Sequence, residues 1–171
     1  NYPLHKYERA APILFKLRTI KHSIEIDLIQ QACNITEKAF RRILKFVKPG
    51  VWEYEIEAEM LHETIINRSK GFAYSPIIAS GRNACVLHYV ENNKQCQDGE
   101  VILIDVGSEY ANYASDMTRC IPVNGKFTKR QKEVYNSVLF VLKEATKLLR
   151  PGMTFEKYNA EVGRLMTEEL L

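Results

Sequence analysis

Two stretches of this 171-residue chain echo one another. "LKFVKPGVWEYEIEAEM" (residues 44–60) and "TKLLRPGMTFEKYNAEV" (residues 146–162) each pass from a helix-like segment through a basic residue and Pro-Gly into a second helix, with Pro49 and Pro151 as equivalents. An internal duplication limits the possible folds more tightly than any local propensity. The first unit is expected to run from Ser23 to Phe127. Its first helix starts at Ser23 as N-cap and carries Leu28, Ala32, Ala39, Ile43 and Val47 at helical spacing; its second spans about Trp52 to Arg68. Strand-like segments follow, "AYSPIIAS", "ACVLHYV", "EVILIDVGSEY" and the returning "NYASDMTRCIPV", separated by turn-rich "GRN", "ENNK" and "QDGE". The second unit opens with the capping box Thr128–Gln131 and a helix to Leu149. Its own sheet is expected to lie beyond Leu171. Residues 1–22 read as a connecting segment, so the expected order is linker, then helix, helix and antiparallel sheet in an α+β fold whose pseudo-twofold repeat is incomplete.

Within that order, Val101 to Val106 is almost continuously apolar, as in a strand buried on both faces, and Asp105 interrupts it. Burying a carboxylate is costly unless it is paired or bound to metal. Asp116 follows on the returning strand. With the turn centred on Tyr110 and Ala111, the two aspartates would face each other directly, with Cβ atoms about 4.5–5.5 Å apart. Two charged carboxylates at that distance repel unless one is protonated or a cation lies between them. A lone aspartate could face solvent or pair with Arg119; two on facing strands favour a metal site. Oxygen ligands of this kind suit manganese, magnesium or ferrous iron. Two carboxylates cannot saturate such an ion, so further ligands are expected from the second half.

His88, at the end of "NACVLHY", is placed one strand before Asp105. Alone it would read as an ordinary edge histidine, but that adjacency makes it a candidate for proton transfer or substrate stabilisation. Tyr74 is a weaker candidate of the same kind. His5, His22 and His62 carry no such argument.

Composition narrows the alternatives. The net charge is +3, and the basic clusters Arg41, Arg42, Lys45, Lys48 and Lys126, Lys129, Arg130, Lys132 lie on helix-like stretches that also carry acids, so no nucleic-acid partner is expected. The longest apolar runs, Val101–Ile104 and Val138–Leu142, are too short to span a bilayer. The four cysteines are widely spaced and form no C-x-x-C pair, which argues against a zinc knuckle and for reduced thiols in a cytoplasmic protein.

"SGRNACVLHYVENN" followed by "GEVILIDVGSEYANYASDMTRCIPVNGKFTKRQKEVY" closely resembles the pita-bread metallopeptidases, and within them the Xaa-Pro aminopeptidases (aminopeptidase P). That resemblance implies a pita-bread (creatinase/aminopeptidase-like) fold: a curved antiparallel sheet with helices on its outer face. Residues 1–22 would be the linker from a preceding domain, and residues 23–171 the N-terminal part of the catalytic domain. It further implies a metal-dependent aminopeptidase that hydrolyses the Xaa-Pro bond of peptides with proline in second position through a hydroxide bridging two divalent ions, Mn2+ foremost. Asp105 would chelate one ion, Asp116 would bridge both, His88 would approach the substrate at the scissile bond, and Tyr74 would stand near the metal centre. One histidine and two glutamates that complete the family's ligand set have no counterpart here, so the fragment alone would be inactive. A homodimeric full-length protein is expected. Prolidase, which shares "LHY" and "NGKFT", is the neighbouring alternative. Methionine aminopeptidases fit the connecting segment less well, and a non-catalytic pita-bread binding module would be expected to have lost metal ligands.

Overall fold

The computed structural model describes Leu4 and residues 6–171; His5 lies outside the described residues. The chain divides into two units, Asn1–Asn124 and Gly125–Leu171. A short helix, α1 (Ala11–Thr19), precedes Ser23, and none of its residues is buried.

Helix α2 (Ser23–Phe46) starts one residue earlier than its sequence signal suggests. His22 is the N-cap, and its N–H donates to the Glu25 carboxylate at 2.7 Å, so Ser23 is the first helical residue rather than the cap. Its buried stripe of Ala32, Ile35, Thr36, Ala39 and Ile43 recurs every three or four residues, and Leu28 and Val47 flank it half-buried. Pro49 and Gly50 end the run, and Gly50 takes a left-handed φ of 92° before helix α3 (Glu53–Ile66) begins.

The sheet beneath these helices is set by alternation. Strand β1 (Ile77–Ser80) pairs antiparallel with β2 (Val101–Val106), matching Ile78 with Ile104. A two-stranded excursion, β3 (Glu109–Tyr110) and β4 (Tyr113–Ala114), precedes β5 (Met117–Pro122), which pairs with the other side of β2. Along β2, Ile102, Ile104 and Val106 are buried, whereas Val101, Leu103 and Asp105 are only partly covered. The buried set joins Ile78 against Ala39 and Ile43 of α2 and Ile56 and Met60 of α3 in one apolar core. Each such isoleucine contributes roughly 1.5–3 kcal/mol of burial. The strand is therefore buried on one face, not on both as its apolar run suggested. Helices lie on that face, and Asp105 is on the other.

The segment "ACVLHYV", expected as a strand, is not one. A 3-10 helix covers Gly81–Cys85, and the chain then runs irregularly to β2. His88 and Asn92 adopt φ of 54° and 44°, which no extended ribbon accommodates. Val86 and Leu87 are exposed, and only Tyr89 of the apolar run turns inward.

In the second unit, Thr128 and Gln131 form the expected reciprocal cap, and α4 (Lys129–Leu148) packs on α5 (Phe155–Leu170). The two Pro-Gly turns correspond closely. Gly152 has φ of 88°, and α5 starts four residues after Pro151 just as α3 starts four after Pro49.

One close approach has no tolerance. A Cβ on Gly107 would stand 1.9 Å from the Ser115 carbonyl oxygen, where the chain on either side of β3 and β4 draws together. Gly107→Ala should lower unfolding free energy by about 1–3 kcal/mol or more, measured by urea denaturation of the full-length protein; unchanged stability would mean that the pinch relaxes freely.

Candidate functional site

The turn between β3 and β4 determines how the two aspartates meet. Tyr110 pairs with Tyr113, leaving Ala111 and Asn112 as a two-residue loop with φ of 50° and 67°. Two left-handed residues in succession are the mark of a type I′ hairpin. The Glu109 carboxylate supports the loop by accepting from the Asn112 N–H. The turn is thus centred one residue later than the sequence reading placed it. Asp105 pairs with Thr118, and Asp116 lies on the diagonal, in the break between β4 and β5.

A third side chain closes that diagonal. The Ala73 N–H donates to the Gly107 carbonyl at 2.8 Å, which brings residue 74 beside the end of β2. The Tyr74 hydroxyl then lies 2.7 Å from Asp105 Oδ1 and 3.0 Å from Asp116 Oδ1. Burial, followed by these two carboxylate contacts, pushes the Tyr74 phenol far above its ordinary range. A neutral hydroxyl carries one proton, so it can donate to only one of the two oxygens at a time. One of the two short contacts therefore lacks a positive or protic partner, and a cation on the carboxylates would supply it.

Tyr74, Asp105 and Asp116 line an open cleft of about 420 Å³, together with Ser75, Ile77, Val90 and His88. His88 thus shares the cleft with both aspartates, although it reaches it from an irregular segment and not from a strand. Its side chain is exposed. Asp105 is partly buried and Asp116 exposed, so neither carries the full desolvation penalty that the apolar flanks suggested. Among the described residues no group of three or more His, Cys, Asp or Glu side chains could hold a metal ion. The two carboxylates fit a hard divalent ion in donor type and fall short of it in number.

Asp116 is anchored from behind by buried hydroxyls. Ser115 Oγ meets Thr36 Oγ1 of α2 at 2.7 Å and donates to the Ser108 carbonyl at 3.0 Å; the Ser108 N–H donates to Thr36 Oγ1 and Ser115 Oγ, each at 2.9 Å. Ser108 Oγ also meets Thr64 Oγ1 of α3 at 3.2 Å. These groups, and the buried Glu53, escaped the sequence reading. Ser and Thr on helices ordinarily mark solvated or capping positions, and an acid in the first turn of a helix is ordinary too. The repeat held one usable signal: Phe155 occupies the position equivalent to Glu53.

Residues 27–171 match the model of metallopeptidase family M24. An Xaa-Pro aminopeptidase of Haemophilus influenzae is 44% identical over 160 residues, covering 94% of this chain and 37% of that relative. Two solved structures of Escherichia coli aminopeptidase P, one in complex with substrate and one zinc-substituted in complex with product, have a TM-score of 0.91 at 40% identity, each covering 94% of this chain and 37% of theirs. The chain therefore spans somewhat more than a third of the length of the proteins it matches, and over that span its α+β fold is theirs.

Tyr89, the residue after His88, gives this wall of the cleft a pH signature. Burial, then its hydrogen bond to Glu53, pushes the phenol from 10.0 up to about 12. A raised phenol keeps its proton in the folded state, so its contribution to stability is complete below pH 10 and is lost as pH rises to about 12. A tyrosinate absorbance titration should show one phenol ionising near pH 12 that Tyr89→Phe removes; a difference centred near pH 10 would contradict the contact.

Proposed function

Because the chain belongs to metallopeptidase family M24, we propose that it forms part of a metal-dependent aminopeptidase that hydrolyses the bond before proline at the N-terminus of peptides. The observation that carries this reading is the single Tyr74 hydroxyl spanning two carboxylates at 2.7 and 3.0 Å in a cleft that His88 also lines. One hydroxyl proton cannot satisfy both carboxylates, and a cation held between them would. The names of the similar proteins point the same way.

In this reading Asp105 and Asp116 would hold divalent metal, and two carboxylates would need further ligands to complete its coordination. Divalent ions, when bound, supply Lewis acidity that activates water and polarises the scissile carbonyl. Tyr74, donating to one carboxylate at a time, would keep that carboxylate from rotating out of the cleft. His88, exposed and lining the same cleft, would donate to the substrate near the scissile bond. Ile77 and Val90 give the cleft apolar lining suited to a peptide side chain or a proline ring.

The finer parts of the reading are manganese as the resident ion and a cytoplasmic homodimer as the full-length form. Residues 1–22 serve as a linker from a preceding domain, a role supported by α1, none of whose residues is buried, and residues 23–171 form the N-terminal part of the catalytic domain. No described helix is long and apolar enough to cross a membrane.

The test uses the full-length protein stripped of metal by chelation and then given manganese, with an Xaa-Pro-Yaa tripeptide and an Xaa-Pro dipeptide as substrates. Manganese should restore release of the first residue from the tripeptide, and Asp116→Ala should abolish it. Dipeptide-only cleavage would instead make the protein a prolidase. Absence of both activities, with no metal retained, would leave a peptide-binding scaffold. Tyr74→Phe should lower metal affinity by about 10–100-fold, read as the manganese concentration giving half-maximal activity; an unchanged value would remove Tyr74 from the account of the site.

A further inference from the structure

We propose that Glu53, which lines no part of the cleft, is a positioning residue that sets where His88 stands. The inference deepens the reading of the site as a peptidase and rests on it. Glu53 is the first residue of α3 and is fully buried. Its Oε1 accepts from the Ser80 N–H at 2.7 Å, the Ser80 hydroxyl at 2.8 Å and Asn83 Nδ2 at 3.4 Å. Its Oε2 accepts from the Tyr89 hydroxyl at 2.7 Å and the Lys94 N–H at 2.9 Å. Its own N–H donates to the Lys94 carbonyl at 3.0 Å.

All five donors come from one segment, Ser80 to Lys94, and they include its two ends and its middle. Beyond Ser80, the last residue of β1, that segment carries the 3-10 helix and His88 and contains no strand. An irregular segment has no ladder of its own to fix its course, so its course is set by what its polar groups bind. Here one carboxylate collects them.

His88 sits at the point where this matters most. Its φ of 54° is a left-handed conformation that a non-glycine residue holds only where its surroundings over-determine it. His88 itself supplies none of that determination. It is exposed, among the described residues no hydrogen bond involves its side chain, and Leu87 beside it is 91% exposed. The restraints lie on its far side. Tyr89 is buried against Glu53, and Asn92 accepts from the Ile78 N–H at 2.9 Å while donating to the Pro76 carbonyl and to Glu57 Oε2 at 3.0 and 2.8 Å. Glu57 lies one helical turn beyond Glu53, so the N-terminal half of α3 holds the segment at two levels. The imidazole is thereby carried to the cleft on a backbone whose position is fixed behind it.

A carboxylate that only closes the fold would weaken the enzyme whether or not His88 is present. A positioning residue acts through His88, and removing the imidazole removes its effect. The experiment is a double-mutant cycle in the full-length manganese enzyme, with Glu53→Gln and, separately, the milder Tyr89→Phe, each made in wild-type and His88→Ala backgrounds. Glu53→Gln keeps the size and turns an amide nitrogen toward the converging donors. Tyr89→Phe removes one donor alone and decides the matter should Glu53→Gln fail to fold. Four quantities are read: kcat and KM on an Xaa-Pro-Yaa tripeptide, bound manganese per subunit, and amide hydrogen exchange over residues 81–94.

Each change should lower kcat/KM by roughly tenfold or more in the wild-type background and by less than about threefold in the His88→Ala background. Bound manganese should be unchanged, and exchange should quicken in residues 81–94 while β2 and β5 keep their protection. Equal losses in both backgrounds, loss of manganese, or unaltered exchange would overturn the proposal. A wild-type enzyme that cleaves no Xaa-Pro substrate would overturn the functional reading instead, and the exchange measurement would still decide whether Glu53 holds the segment.

Discussion

The alternation of β2 is the constraint from which the rest of the first unit follows. Ile102, Ile104 and Val106 lie in the core under α2 and α3, and a strand that buries every second residue must turn the intervening ones the other way. Asp105 therefore cannot reach the helices without breaking the core register. A one-residue slip would bury the carboxylate and expose three branched side chains. The apolar half of the strand thus fixes the direction of its polar residue more firmly than any contact made by the carboxylate itself.

What surrounds Asp105 is organised by hydrogen bonds that reach the site from behind. Buried hydroxyls from α2 and α3 converge on Ser108 and Ser115 and draw the chain into the pinch at Gly107. Asp116 follows directly from Ser115 and inherits its placement. On the other wall, α3 contributes carboxylates and no hydroxyls, and those carboxylates occupy the outward N–H groups of the edge strand β1, at Ser80 directly and at Ile78 through Asn92. An edge strand with its donors so occupied offers little to a foreign strand. The same bonds that shape the cleft wall also close the sheet.

The helices were legible in the sequence because their signals are local: a 3.6-residue stripe from Leu28 to Val47, Pro-Gly stops, and the Thr128–Gln131 cap. Strands β2 and β5 were legible as apolar runs, and the two aspartates stood out against them. The register was not. It depends on a hairpin whose loop is Ala111–Asn112, and alanine gives no warning of a left-handed φ as Asn-Gly would. The course of "ACVLHYV" was misread for a related reason. Its apolar letters suggest a strand, but its path is dictated by a carboxylate some thirty-five residues earlier in the chain, at Glu53. Long-range hydrogen bonds leave no periodicity behind them, so Glu53, Thr36 and Ser115 became visible only in three dimensions.

The paired Pro-Gly turns have a consequence for how such a protein can change. Their glycines share a backbone conformation, and the helices after them begin in step, yet the first residue of the second helix is a buried Glu53 in one copy and a Phe155 that is 83% exposed in the other. Two turns of the same backbone shape are thus followed by side chains of different chemistry. Duplication of a scaffold relieves each copy of the need to do everything, so that symmetry in the backbone can coexist with division of labour among the side chains. In such a protein the positions most worth comparing are those where the two halves agree in shape and disagree in chemistry.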